Sequence, residues 1–119
     1  MICSMAKFNF FTTTEFNKEF KRLAKKYKSL SSDLLEFKEE FENNPNVGID
    51  LGANLRKIRV SIKSKNKGKS GGARIIVYDL VATVEENAVI LVLIFDKNET
   101  NNVSNDELKS ILRKEGFIK

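Results

Sequence analysis

The sequence contains no histidine and no tryptophan, and has one cysteine and one proline in 119 residues. Without histidine there is no Ser-His-Asp triad, no Cys-His nucleophile, no histidine zinc site and no imidazole acid/base pair. A lone Cys3 cannot close an internal disulfide or supply a CxxC motif, which suits a reducing compartment. Long apolar runs are also missing. The longest, Ala88 to Phe95, is far below the roughly 20 residues that span a bilayer, and the first residues lack the basic and apolar regions of a secretory signal. These absences lead to the expectation of a cytoplasmic protein with no membrane role, whose chemistry, if any, rests on Lys, Arg, Asp, Glu, Tyr or Ser.

What is present is positive charge, unevenly spread. The chain carries 21 Lys+Arg against 16 Asp+Glu, a net charge of +5. Arg56, Lys57, Arg59, Lys63, Lys65, Lys67, Lys69 and Arg74 fall in one segment without an acid. That leaves 13 basic against 16 acidic residues elsewhere, so the whole cationic excess resides between positions 56 and 74. A second basic run holds Lys18, Lys21, Arg22 and Lys25.

The length fits a single domain over residues 1–119. Phe8 to Phe11 reads as a strand, and Thr12-Thr-Thr-Glu15 as a capping box opening a helix. Phe16, Phe20, Leu23, Ala24 and Tyr27 make one apolar face of that helix, with Lys18, Lys21, Arg22 and Lys25 opposite. Asp33 with Glu36 suggests a second cap, for a helix with Leu34, Phe37 and Phe41 inward that Asn43-Asn-Pro-Asn46 ends. After a loop, Ile58, Val60 and Ile62 alternate with Lys57, Arg59, Ser61 and Lys63, the pattern of a half-buried strand with a cationic open face. Ser64 to Gly72 reads as a loop, Ala73 to Val81 as a strand, Glu85-Glu-Asn87 as a turn and Val89 to Phe95 as a strand covered on both faces. Ser104-Asn-Asp-Glu107 caps a last helix that Gly116 stops. The expected order is β-α-α-β-β-β-α: a small α+β domain with an antiparallel sheet packed by helices.

A charge run is most often a solvated face, but eight cations on a strand, a Gly-containing loop and the next strand repel one another unless an anion is bound. RNA or DNA is the natural partner. Cleavage of RNA by its own 2′-OH needs a base, a cationic clamp and a proton donor to the leaving oxygen. With no histidine, a lysine crowded by cations that lower its pKa must act as base, with arginines as clamps. Lys57 and Arg59 face one way on their strand, with Arg74 in reach on the next. Tyr78 shares a face with Arg74 and reads either as a stacking platform or as a core tyrosine. Asp79 and Asp96 lack the carboxylate cluster of a metal site, so no metal and no cofactor is expected. Lys69-Ser-Gly-Gly72 has neither the order nor the context of a P-loop.

Three segments in order, Leu55-Arg-Lys-Ile-Arg-Val60, Lys67-Gly-Lys-Ser-Gly-Gly-Ala-Arg-Ile-Ile76 with Tyr78, and Ile94-Phe-Asp-Lys-Asn-Glu99, resemble the RelE/ParE superfamily of bacterial toxins, most closely its HigB-like branch. The resemblance implies a RelE-like fold and a type II toxin that cuts translated mRNA on the 70S ribosome, held inactive by a cognate helix-turn-helix antitoxin. By position it implies Lys57, Arg59 and Arg74 as catalytic, one of the first pair a candidate base, and Arg74 as the phosphate-stabilising arginine. Arg56, Lys63, Lys65, Lys67, Lys69, Tyr78 and Lys97 are expected at the RNA, and Lys18, Lys21, Arg22 and Lys25 at ribosomal RNA. Asn98 stands where RelE members carry an arginine general acid, and Ser104 where they carry a stacking tyrosine, so Lys97 or a cation of the 65–69 loop is the candidate acid. Two other readings share the fold or the charge: a ParE-like gyrase inhibitor without nuclease activity, and a ribosome-binding module that has lost activity.

Overall fold

The computed structural model describes residues 8–66, 68–80, 88–100 and 102–119. The turn expected at Glu85-Glu-Asn87, like Cys3 and Lys67, lies outside them. The described elements are β1 (Asn9–Thr12), α1 (Thr14–Lys26), α2 (Leu30–Asn43), β2 (Ile49–Gly52), β3 (Leu55–Val60), β4 (Ala73–Leu80), β5 (Ala88–Asp96) and α3 (Asn105–Lys114), with a single 3-10 turn at Lys63–Lys65.

The sheet runs in the order β1-β5-β4-β3-β2. Strands β3 to β5 form the expected antiparallel meander, which β2 extends by one strand, but β1 lies parallel to β5, so the sheet is mixed and not wholly antiparallel. The reversal follows from connectivity. Two helices intervene between β1 and the meander, and a chain that crosses over through helices can re-join a sheet in parallel. The short strand β2, in what reads in sequence as a Gly/Asn loop, is the other addition.

Period-2 alternation sends side chains to two separate cores. Ile58, Val60, Ile62, Ile75, Val77 and Leu91 pack under α1 and α2 with Phe16, Leu23, Phe37 and Phe41. Leu55, Ile76, Ile90, Val92 and Phe95 pack under α3 with Leu108 and Leu112. Strand β5 is therefore apolar on both faces, as its sequence requires.

The helix ends follow their caps, with two shifts. Thr13, not Thr12, caps α1: its hydroxyl accepts from the Phe16 amide at 2.9 Å and donates to the Val92 carbonyl at 2.7 Å. That carbonyl is free for it because the β4–β5 register slips there, leaving Val92 as a bulge between Leu91 and Leu93. Helix α2 begins at Leu30, so Asp33 is no cap; it sits buried in the first turn, accepting from the Ser29 hydroxyl at 2.7 Å and the Lys63 amide at 3.3 Å. Ser104 caps α3 as expected, accepting from the Glu107 amide, and Gly116 ends that helix at φ +82°.

Candidate functional site

On the face that carries α3, odd positions of β3 and even positions of β4 point the same way. Arg59 and Arg74 are direct cross-strand partners, and Lys57 sits opposite Ile76 two pairs further along. Beside the α3 core this face opens into a cleft of about 580 Å³ lined by Lys57, Arg59, Lys69, Arg74 and Lys97, with Val47, Gly48 and Ile49 as its apolar wall. Among the described residues, no carboxylate lines it.

Arg74 forms the floor. It is 8 % exposed, and its guanidinium donates to the carbonyls of Lys69, Ser70 and Ala73 at 3.1 to 3.3 Å. Burial lowers its pKa from the ordinary arginine value, and the positive charge of Arg59 adds to the effect. Two cations so placed favour an anion between them. Lys97 reaches the rim because its amide donates to the Gly72 carbonyl at 3.2 Å, fixing the end of β5 against the turn that leads into β4.

The sequence cluster of eight cations is not one surface. Arg56 points to the opposite face, where its guanidinium makes a bidentate pair with Asp79 at 2.9 and 3.2 Å, donates to the Val47 and Pro45 carbonyls and lies over the Phe41 ring. These partners all lie within the chain, and Arg56 does not line the cleft that holds Lys57, Arg59 and Arg74. Lys65 is also withdrawn: its side chain is 6 % exposed and donates to the fully buried Asp96 at 2.7 Å. Lys63 pairs with Glu36 at 2.7 Å on the exposed surface, a hydrogen bond that raises its pKa, and Lys69 meets Glu40 at 3.3 Å on the cleft edge. Tyr78, four residues along β4 from Arg74, is half-buried against the α3 core and is not among the residues that line the cleft. Lys67 lies outside the described residues. Among the described residues, Lys57, Arg59, Arg74 and Lys97 have no acidic partner.

Sequence reasoning missed Asp96. This carboxylate, at the end of β5, accepts from Tyr27 Oη at 2.6 Å, Lys65 Nζ at 2.7 Å and the Asn98 amide at 3.0 Å. Burial raises its pKa, but the hydrogen bonds from Lys65, Tyr27 and Asn98 outweigh that and hold it at about 2. It ties α1, the Lys63–Lys65 turn and the β5 end together directly behind Lys97. The only sequence signal was an acid closing an apolar strand. Ser104 serves as the α3 cap, and the Asn98 backbone amide donates to Asp96.

The basic face of α1 lies elsewhere. Lys18, Lys21 and Lys25 are exposed, and Lys18 and Lys21 flank a shallow groove of about 540 Å³ with Phe20. Arg22 differs from its neighbours, being bridged to Glu99 at 2.6 Å and Glu19 at 3.0 Å. No group of His, Cys, Asp and Glu among the described residues has metal-site geometry, and no described helix is long and apolar enough to cross a membrane.

Comparison with known proteins finds a matching family model and similar solved structures. The structure of Escherichia coli toxin RelE, in a form with two arginines replaced by alanine and free of partners, superposes with a TM-score of 0.55 at 16% sequence identity over 94% of this chain and 99% of that one, which establishes a shared fold. The family model described as RelE toxin of the RelE / RelB toxin-antitoxin system matches residues 14–115, from the first turn of α1 to the end of α3. The domain built around this cationic cleft therefore belongs to the RelE toxin family.

Proposed function

We propose that the chain is a metal-independent endoribonuclease toxin that cuts translated mRNA on the ribosome, of the HigB-like kind, and that a cognate helix-turn-helix antitoxin holds it inactive. The observation that carries this reading is the cleft in which Arg59 and Arg74 are cross-strand partners, with Lys57 and Lys97 beside them and no carboxylate among the described lining residues. It suits a phosphate with one side open to the chain.

In this scheme the amine of Lys57 takes the proton of the ribose 2′-OH. The O2′ attacks the adjacent phosphorus, the P–O5′ bond breaks, and the O5′ leaves with a proton from the Lys97 ammonium. Arg59 and Arg74 stabilise the phosphorane charge, Arg74 with a guanidinium already fixed by three carbonyls. The products are a 2′,3′-cyclic phosphate and a 5′-OH, and water returns both lysines to their starting protonation. The ribosome's positioning of the message supplies part of the barrier reduction. The exposed lysines of α1 contribute a charged contact to ribosomal RNA.

The test is primer extension on message from cells induced to make the protein without its antitoxin. Discrete cuts within translated codons support the reading. Intact message accompanied by DNA damage supports a gyrase inhibitor instead, and ribosome binding with intact message an inactive binding module.

A further inference from the structure

Resting on the reading above, we propose that Ile49 is the cleft's nucleobase contact, an aliphatic surface against which the base beside the cleaved phosphate lies. Ile49 is 53% exposed, one of three large apolar side chains in the described residues that are so open. It is also the partner of Lys57 in the β2–β3 register and lines the same cleft as Arg59 and Arg74. Val47, two residues away, extends this wall, and among the described residues no aromatic side chain lines the cleft. A base next to a bound phosphate therefore meets cations on one side and this wall on the other.

The wall is held rigidly from behind. Gly48 sits at φ +104°, and a Cβ there would lie 2.7 Å from Ile58 Cγ1 and 2.8 Å from the Lys57 carbonyl oxygen, so only glycine lets the segment press this closely onto β3. Arg56 donates to the Val47 carbonyl at 2.8 Å while Asp79 holds its other edge. Arg56, which does not line the cleft, thus acts as a positioning residue for the segment that carries Ile49. A pre-formed apolar wall beside a phosphate site loses little conformational entropy when a base lies on it, and an aliphatic side chain discriminates among bases weakly, by contact area and not by hydrogen bonding.

Purified protein acting on ribosomes programmed with a defined message tests this, comparing the parent with Ile49→Ala, Ile49→Met and Arg59→Ala. The proposal expects Ile49→Ala to raise KM about 5- to 30-fold through lost apolar contact, with kcat within roughly threefold, and to shift the distribution of cut sites. Ile49→Met restores KM, and the thermal midpoints of both variants match the parent because the side chain is exposed. Ile49→Ala indistinguishable from the parent in KM and cut sites overturns the proposal. Arg59→Ala separates the two levels: if it cuts like the parent, the nuclease site itself is misassigned, whereas loss of cutting there with no effect at Ile49 removes only the base contact.

Discussion

Arg59 and Arg74 face each other across two strands, yet their surroundings differ and so do the expected consequences of changing them. Arg59 is exposed and unpaired, so Arg59→Ala should alter stability by less than about 0.5 kcal/mol while lowering cleavage by roughly 100-fold or more. Arg74 is buried and holds three carbonyls, so Arg74→Ala should lower cleavage and also cost about 1–3 kcal/mol. Arg74→Lys keeps the charge but loses the planar fork, and should recover little activity. Single-turnover cleavage with urea unfolding of each variant checks both halves. Asp96 has no part in the chemistry but a large one in stability. Its pKa of about 2 lies below the unfolded value, so its contribution, roughly 2 kcal/mol, is fully present above about pH 4 and is lost as pH falls through 2. Asp96→Asn should cost about 3–5 kcal/mol by leaving Lys65 buried beside a neutral group, and should flatten the acid limb of stability. Urea midpoints between pH 2 and 7 for parent and variant read this directly. At this scale the sequence made Lys57, Arg59 and Arg74 visible, because strand alternation alone puts them on one face. It concealed that Arg56, Lys63, Lys65 and Lys69 are neutralised, since their partners Asp79, Glu36, Asp96 and Glu40 lie in other elements.

Elements rather than single side chains fix the cleft's shape. The Thr13 hydroxyl both caps α1 and serves the carbonyl freed by the β5 bulge, so Thr13→Ala removes two bonds from a fully buried residue and should destabilise by about 2–3 kcal/mol. Thr13→Ser should recover most of the loss, and the two midpoints in urea decide it. Gly72 governs the other end. A Cβ there would lie 2.0 Å from the Val60 carbonyl oxygen, a backbone atom that cannot move without parting β3 from β4. Gly72→Ala should therefore lower both stability and cleavage, with chemical shifts of Arg59 and Arg74 moving in the same variant. The helices and the three long strands were legible because their periodicity extends over many residues, as was the Ser104 cap. The parallel placement of β1 was not, because four residues state that they are a strand without stating which neighbour they take. Strand β2 was hidden for a related reason: Ile49-Asp-Leu-Gly52 alternates over only four residues between Gly and Asn turn positions, and pairing with β3 makes it a strand.

For the whole molecule, folding converts a run of charge into a smaller, sharper one. Four described cations of the 56–74 segment are paired, and those without a partner converge with Lys97 on one cleft beside a wall that carries no charge. Binding of a single-stranded RNA blocked at its 2′ positions should thus weaken as salt rises, with a logarithmic slope of about −0.7 or steeper, the value for one phosphate neutralised on a single strand. Anisotropy titrations across salt concentrations give that slope, and a value near zero would show that the cleft does not hold a polyanion. The nuclease role of Lys57, Arg59 and Arg74 is read most plainly from the product ends. Message cut by the purified protein on translating ribosomes should carry 5′-OH ends opposite 2′,3′-cyclic phosphates, and Arg59→Ala should reduce those ends by roughly 100-fold or more. Cut message with 5′-phosphate ends, or Arg59→Ala cutting as fast as the parent, would contradict it.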